Sequence, residues 1–429
     1  MSGSQGRQIS ESYSSSSYSN GNKNYTKTNS SQVQSSINIK TEFRNTYKYD
    51  DSDKLSFSDD ENNYKLLCFK KYIMKYGSIK SKQVLELGNH FILKTDFYNN
   101  IYVYDENYNY IKEFSNKDYI QKINKLDNDE SFIIIQPDLF KYAKSINEDL
   151  TKCKKEKNSH KSNQYFEINR GAESLISGNG GLYHKTLITQ DKEEIKEISK
   201  ENLLDGIKIT DSLYAYYSNE KFTEGKSMIL IYDTKIPINE QKHNNNPKSI
   251  NRFTNDKGKT FPSYNNPLHV INADDNYKIL LCACRGYNSD NVNGILITRI
   301  EPSSFKTITQ ELIDTKDFEV SCFCTIYEDK EKKYVDILVG GLEADKRRGM
   351  IKLYKLTYNG INDNAKIDFI QDAIEDYERF QDDNDFDGRI NKIFIPKGKK
   401  RDVIVQCFGG SCYLFSLPKD DNYIQRYES

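Results

Sequence analysis

Oxygen ligands are the first chemistry this chain offers. Asp383, Asp385, Asp387 and Gly388 in DNDFDGRIN spell D-x-D-x-D-G, with Asn391 at the ninth position. Alternating carboxylates around a glycine bend can wrap a hard cation in oxygen, so Asp383, Asp385, Asp387 and Asn391 form a candidate calcium loop. The competing reading is an acidic surface loop whose carboxylates repel one another and stay hydrated. Thiols come next. Cys282 and Cys284, and likewise Cys322 and Cys324, stand two apart in β-type sequence, which puts each pair on one face of a strand. Zinc sites favour C-x2-C knuckles on turns, so these pairs read as packed thiols. Cys407 and Cys412 bracket FGGS and are expected to lie opposite each other as free thiols. His90, His160, His184, His243 and His269 are scattered, with no H-E-x-x-H and no predictable Ser or Cys partner, so a nucleophilic triad has no support. Gly178, Gly180 and Gly181 in SGNGGLYH lack the Lys-Ser/Thr of a phosphate loop and read as a hairpin turn.

Charge and composition remove other classes. Lys+Arg 62 against Asp+Glu 63 gives a net charge of -1, which supplies no global field for nucleic acid or an anionic membrane. The basic stretch TKCKKEKNSHK, Thr151 to Lys161, has no interleaved aromatics for base stacking and reads as a solvated insertion. The first residues show no apolar signal core, and no run approaches the ~18 apolar residues of a spanning helix. Membrane insertion and secretion are therefore not expected. The expected compartment is cytoplasmic, with the eight Cys reduced.

The elements that must position these residues are strands. Residues 1–60 are rich in Ser, Asn and Lys and too poor in apolar side chains to offset ordering entropy, so they read as a disordered tail. Within it, SINIKTEF, Ser36 to Phe43, offers one short docked strand, and Ser58 precedes three acids in the manner of an acid-directed phosphorylation site. The remainder, 61–429, reads as one folded region. There YVDILVGG and GMIKLYKL flank a polar bend between Tyr334 and Leu356, the composition of an antiparallel hairpin. Comparable pairs start at Phe91, Ser174, Ser212, Lys278 and Arg401, with a weaker one at Ser131. The first four recur at the roughly 40-residue interval of a four-stranded sheet. Later intervals lengthen through polar insertions, in one of which the spacing of Ile370, Ile374 and Tyr377 predicts a short amphipathic helix.

Seven such units resemble a WD40-like β-propeller, whose sheets shield one another's faces in a ring. The Gly-His and Trp-Asp dipeptides of the named repeat are absent, so the resemblance is one of strand rhythm. A jelly roll or two stacked sandwiches is the alternative arrangement. The expected fold is all-β, a seven-bladed β-propeller with a disordered N-terminal tail, closed by pairing an N-terminal strand near Tyr64 to Phe69 into the last sheet. Thr254, Asp256, Gly258, Thr260 and Phe261 in TNDKGKTF are similar to the Asp-box of sialidase-type propellers, which implies a structural turn away from any catalytic centre. The acidic stretch resembles EF-hand loops and the calcium loops of integrin-type propellers, but Phe394 stands where an EF-hand carries its bidentate Glu.

The propeller resemblance implies a non-catalytic scaffold that binds other proteins, with no small-molecule substrate and no cofactor beyond a possible calcium ion. The alternatives are a sialidase-like, glycan-processing enzyme and a calcium-stabilised structural propeller. The enzyme would need arginines at a central funnel, yet Arg170, Arg252, Arg285, Arg299, Arg347 and Arg348 do not fall at comparable repeat positions, and Trp is absent.

Overall fold

The computed structural model describes residues 66–418, apart from 75–80, 96–98, 117, 169–171, 179–180, 190–191, 201, 204, 218–228, 236–259, 263–266, 274–276, 287–292, 304–305, 344, 346–347, 359–364 and 375–388. The chain divides into two units, Met1–Asn62 and Asn63–Ser429, and every described residue lies in the second. The expected tail, its SINIKTEF segment and Ser58 lie outside the described residues.

Six of the seven hairpins read from the sequence are the central pair of one antiparallel sheet, and the one from Ser212 supplies two of the three described strands of its sheet. The first strand, β1 (Cys68–Met74), belongs to the last of these sheets. Blade 1 is β2 (Ser81–Leu87), β3 (His90–Thr95), β4 (Asn100–Tyr104) and β5 (Tyr110–Ser115). Blade 2 is β6 (Lys122–Lys125), β7 (Phe132–Ile135), β8 (Leu139–Ala143) and β9 (Lys154–Lys157). Blade 3 is β10 (Ser162–Ile168), β11 (Glu173–Gly178), β12 (Gly181–Thr189) and β13 (Lys192–Ser199). Blade 4 shows three described strands, β14 (Asp205–Lys208), β15 (Leu213–Tyr217) and β16 (Ile229–Asp233). Blade 5 splits its inner edge into β17 (Thr260–Pro262) and β18 (Leu268–Ile271), both paired to β19 (Lys278–Gly286), followed by β20 (Gly294–Glu301) and β21 (Lys306–Asp314). Blade 6 is β22 (Phe318–Asp329), β23 (Tyr334–Glu343), β24 (Arg348–Thr357) and β25 (Lys366–Asp372). Blade 7 is β26 (Ile390–Phe394), β27 (Asp402–Cys407), β28 (Cys412–Ser416) and, outermost, β1.

Successive inner strands touch from β2 through β6, β10, β14, β18, β22 and β26, and β27 touches β2, so the seven sheets close into a ring. The architecture is a WD40-like seven-bladed β-propeller.

Period-two alternation explains why these runs stack. In β15, Leu213, Ala215 and Tyr217 pack toward blade 5, while Tyr214 and Tyr216 pack toward blade 3. In β7, Phe132 and Ile134 join Leu87, Ile92 and Ile101 of blade 1, and Ile133 and Ile135 join Tyr165 and Ile176 of blade 3. A strand buried on both faces must be apolar at every position, hence FIII and LYAYY without polar interruption. Each such side chain contributes about 1.5–3 kcal/mol through burial. Outermost strands obey the opposite rule. KEEIKEIS in β13 and KKEK in β9 are mostly exposed and charged, which discourages pairing with another chain.

Closure comes from β1, whose pairing with β28 runs from Cys68 opposite Ser416 to Met74 opposite Cys412. The closing strand therefore begins four residues later than expected, because Leu66 and Leu67 are taken up in the core formed with blades 5 and 6. Asp402 of β27 accepts from Lys70 Nζ of β1 at 2.6 Å and from Tyr108 Oη of blade 1 at 2.9 Å, tying both sides of the junction. Tyr108 in turn stacks on Phe91, with ring centroids 5.0 Å apart.

Two local expectations need correction. Ile370 lies in β25, so no helix runs through it; a spacing of four keeps Ile370 and Ile374 on one face of a strand as well as of a helix, and Tyr377 lies outside the described residues. Cys412 stands opposite Gln406, which sends Cys407 and Cys412 to different faces: Cys407 packs toward blade 6 and Cys412 toward blade 1. The glycine turn is as expected. Gly178 pairs with Gly181, whose φ of 121° and close approach to Ser199 O leave no room for a side chain.

Phe415 is 0% exposed at the closing pair and meets Phe69 of β1 edge-on at 5.9 Å. Phe415→Ala is expected to lower unfolding stability by about 3–5 kcal/mol, whereas Phe408→Ala, 58% exposed in the same blade, should stay within about 0.5 kcal/mol. Urea unfolding of both variants checks this; equal midpoints would contradict the closure.

Candidate functional site: the axial channel and the leading rim

Around the axis, polar side chains of the inner strands cross from blade to blade. Gln83 of β2 uses its whole carboxamide on Ile123 of β6, accepting from the backbone N at 2.9 Å and donating to the carbonyl at 2.6 Å. Asn124 of β6 donates to Tyr165 O of β10 at 2.9 Å. Lys122 of β6 donates to Gln164 Oε1 of β10 at 2.5 Å and, two blades round, to Asp205 Oδ2 of β14 at 2.5 Å. His269 of β18 bonds Thr325 Oγ1 of β22 at 2.9 Å, and Ser321 of β22 donates to Ile390 O of β26. Lys392 of β26 donates to Val84 O of β2 at 2.9 Å, while Arg389, just before β26, pairs with Glu319 of β22.

These side chains fix the register between blades that apolar contact alone would let slide. They also form one contiguous arc. Lys392, Val84, Gln83, Ile123, Lys122, Gln164 and Asp205 follow one another across β26, β2, β6, β10 and β14. Burial pushes the Lys392 ammonium down to about 8, and Lys122 adds like-charge repulsion. His269 is pushed down to about 4 by burial, so its imidazole is neutral at physiological pH.

The thiols are less reactive than their sequence spacing allows. Cys282 and Cys284 share one apolar core and Cys322 and Cys324 another, as same-face strand pairs must. Burial raises Cys322, Cys324 and Cys412 to about 12, leaving too little thiolate for nucleophilic work. His184 bridges blades 3 and 4, meeting Glu173 Oε2 at 2.8 Å and Tyr232 Oη at 3.1 Å. Arg299 is buried with its guanidinium 4.3 Å from the Tyr277 ring centroid.

Of the acidic stretch, Asp383, Asp385 and Asp387 lie outside the described residues. Asn391 stands on β26, and its Oδ1 is buried without a hydrogen-bond partner among the described residues. Among those residues no group of three or more His, Cys, Asp or Glu side chains converges as a metal site. Thr254, Asp256 and Gly258 likewise lie outside, while Thr260 and Phe261 open β17.

The rim where the inner strands begin, the leading rim, also carries each turn between second and third strands. Tyr119, before β6, is 51% exposed there, and Phe408, between β27 and β28, is 58% exposed. The Lys94 ammonium lies 5.7 Å from the Tyr119 ring centroid. The strand ends Tyr217 and Ile229, and Asp372 and Ile390, stand at this same rim.

No protein-family model matches the chain, and no curated protein does. Many solved structures are similar, two of them as follows. One is Sqt1 of Saccharomyces cerevisiae, with a TM-score of 0.46 and 6% identity, covering 82% of this chain and 100% of that one. The other is BBS1N in complex with ARL6DN, with a TM-score of 0.47 and 6% identity, covering 83% of this chain and 98% of that one. The blade count rests on the strand pairing described above. Among the described residues no helix is long and apolar enough to cross a membrane.

Sequence reasoning missed the arc because its members sit in five blades and form no motif. A signal was present: QVLEL, KINK, NQYFEI, DGIK and NKIF each place a polar residue early in the run before a hairpin.

A lysine lowered by burial costs stability while charged in the fold. Below pH about 8 the folded and unfolded forms are both protonated and the cost is fully present; between about 8 and the ordinary lysine value of about 10.5 the folded form gives up its proton first, so stability rises. Lys392→Met removes that titration. The stability of wild type minus Lys392→Met, from urea unfolding, is therefore expected to increase between neutral pH and pH about 10, and a flat difference would refute the burial of the charged form.

Proposed function

We propose that this propeller is a non-catalytic platform that holds other proteins on its leading rim. The observation that carries this is the division of labour between axis and rim. Inner-strand side chains such as Gln83, Lys122 and His269 are engaged between blades, whereas Tyr119 and Phe408 are exposed at the leading rim. Exposed aromatic side chains above a rigid scaffold are the residue type that anchors protein interfaces. The described channel supports a glycan-processing centre poorly, since the side chains crossing it are Gln, Asn, Lys, His and Ser with one carboxylate, Asp205, that Lys122 engages, and Arg389 is engaged by Glu319.

Affinity purification from the native cell tests this directly. The double variant Tyr119→Ala/Phe408→Ala is expected to lose at least one partner recovered with wild type, about tenfold or more by quantitative mass spectrometry, while its melting temperature stays unchanged. An identical partner set would remove the rim from consideration.

A second reading is a calcium ion held by Asp383, Asp385, Asp387 and Asn391, favoured by the buried, unpartnered Oδ1 of Asn391. Calcium is then expected to raise the melting temperature over chelator in wild type but not in Asp385→Asn. No shift in wild type ends that reading.

A further inference from the structure

We propose that the axial channel binds a small oxyanion, a carboxylate or a phosphate, between the ammonium groups of Lys122 and Lys392. The inference goes beyond the rim platform and stands apart from it. Its basis is the arc from β26 to β14, on which two cations face one carboxylate, Asp205.

An ammonium has three N–H donors. Val84 O takes one from Lys392, whose ammonium also lies 5.1 Å from the Phe394 ring centroid, and Gln164 and Asp205 take two from Lys122, so each lysine retains donor capacity. The Lys122 side chain is 23% exposed and that of Asp205 15%, while Lys392 is half-buried. The Phe394 ring and the Cys322 and Cys412 thiols, which burial keeps protonated, also act on Lys392, and Arg389, a further cation beside the channel among the described residues, is taken by Glu319.

Like charges sharing a partly desolvated channel repel, and an anion placed between them relieves that repulsion while accepting the remaining donors. The ligand must be small, because at this level one lysine already spans from β6 past β10 to β14. Lys122 and Asp205 are the first residues of their strands, so the site opens at the leading rim. Two sources present this chemistry there: free phosphate, and the acidic side chain of a bound protein.

Thermal unfolding of the full chain at neutral pH and constant ionic strength, in chloride, phosphate or N-acetyl-glutamate amide, separates them. Wild type is expected to gain melting temperature in at least one oxyanion over chloride, with Lys392→Met binding it about tenfold more weakly and Lys152→Met, on the exposed outside of blade 2, binding as wild type does. A response to phosphate alone identifies the free ion as source, and a response to the glutamate derivative alone identifies a protein side chain; a response to both supports the oxyanion site itself. Should Lys392→Met fail to fold, lysine-resolved NMR titration of wild type replaces it: the oxyanion must raise the Lys392 titration above about 8. No gain in either oxyanion, an equal gain in Lys392→Met, or an unmoved Lys392 titration overturns the proposal. Loss of partners from Tyr119→Ala/Phe408→Ala bears on the rim alone, so either reading can fail while the other stands.

Discussion

Ring closure by the β1–β28 pair is the constraint from which the rest of this structure follows. Every blade is apolar on both faces and has only its neighbours to cover them, so a linear stack would leave two bare faces at its ends. Pairing an N-terminal strand to the last hairpin makes blade 7 partly N-terminal and removes those ends. The apolar cost of failure is large: Ile73, Phe91, Tyr104, Ile404 and Leu414 form a core that exists only when blades 7 and 1 meet. Asp402, bonded to Lys70 of β1 and to Tyr108 in the β4–β5 turn of blade 1, converts that meeting from approximate contact into a fixed register.

Closure also decides what the axis is for. Seven inner strands brought edge to edge leave polar backbone and side-chain groups facing neighbours at close range, and an unpaired buried polar group costs about 1–3 kcal/mol. The chain meets this with side chains that bond the next blade, as Gln83 does with both atoms of its carboxamide. Variation is left to the rims, where connections lengthen without disturbing the pairing beneath them.

The sequence made the central hairpins legible because a strand buried on both faces shows as an unbroken apolar run, and runs as short as FIII and LYAYY, bounded by polar turns, suit little besides such a strand. It was less informative where two structures share a spacing. Ile370 and Ile374 fit a helix and a strand equally, and tertiary context chose the strand. The bounds of the closing strand were also ambiguous, since KLLCF carries apolar residues without a break after its lysine and only packing shows that Leu66 and Leu67 belong to a core rather than to the ladder. Cys407 and Cys412 bracket a turn symmetrically in sequence, yet a one-residue offset in register sends them to opposite faces. The axial arc was illegible for a different reason: proximity among Lys392, Lys122 and Asp205 is created by closure and has no counterpart along the chain.

That last point changes how the overall charge should be weighed. A net charge of -1 over 429 residues argues against a long-range field that gathers polyanions. It says nothing about a channel only a few side chains across, because interactions at that range depend on local charge and local water, and exposed charges more than about 10 Å away are screened. Within the arc the local sum is two ammonium groups against one carboxylate, and the Lys392 titration is lowered first by burial and further by the Lys122 charge. A propeller near neutrality as a whole can therefore hold a locally positive arc, and the blades that create that arc are the same ones the closing strand brings together.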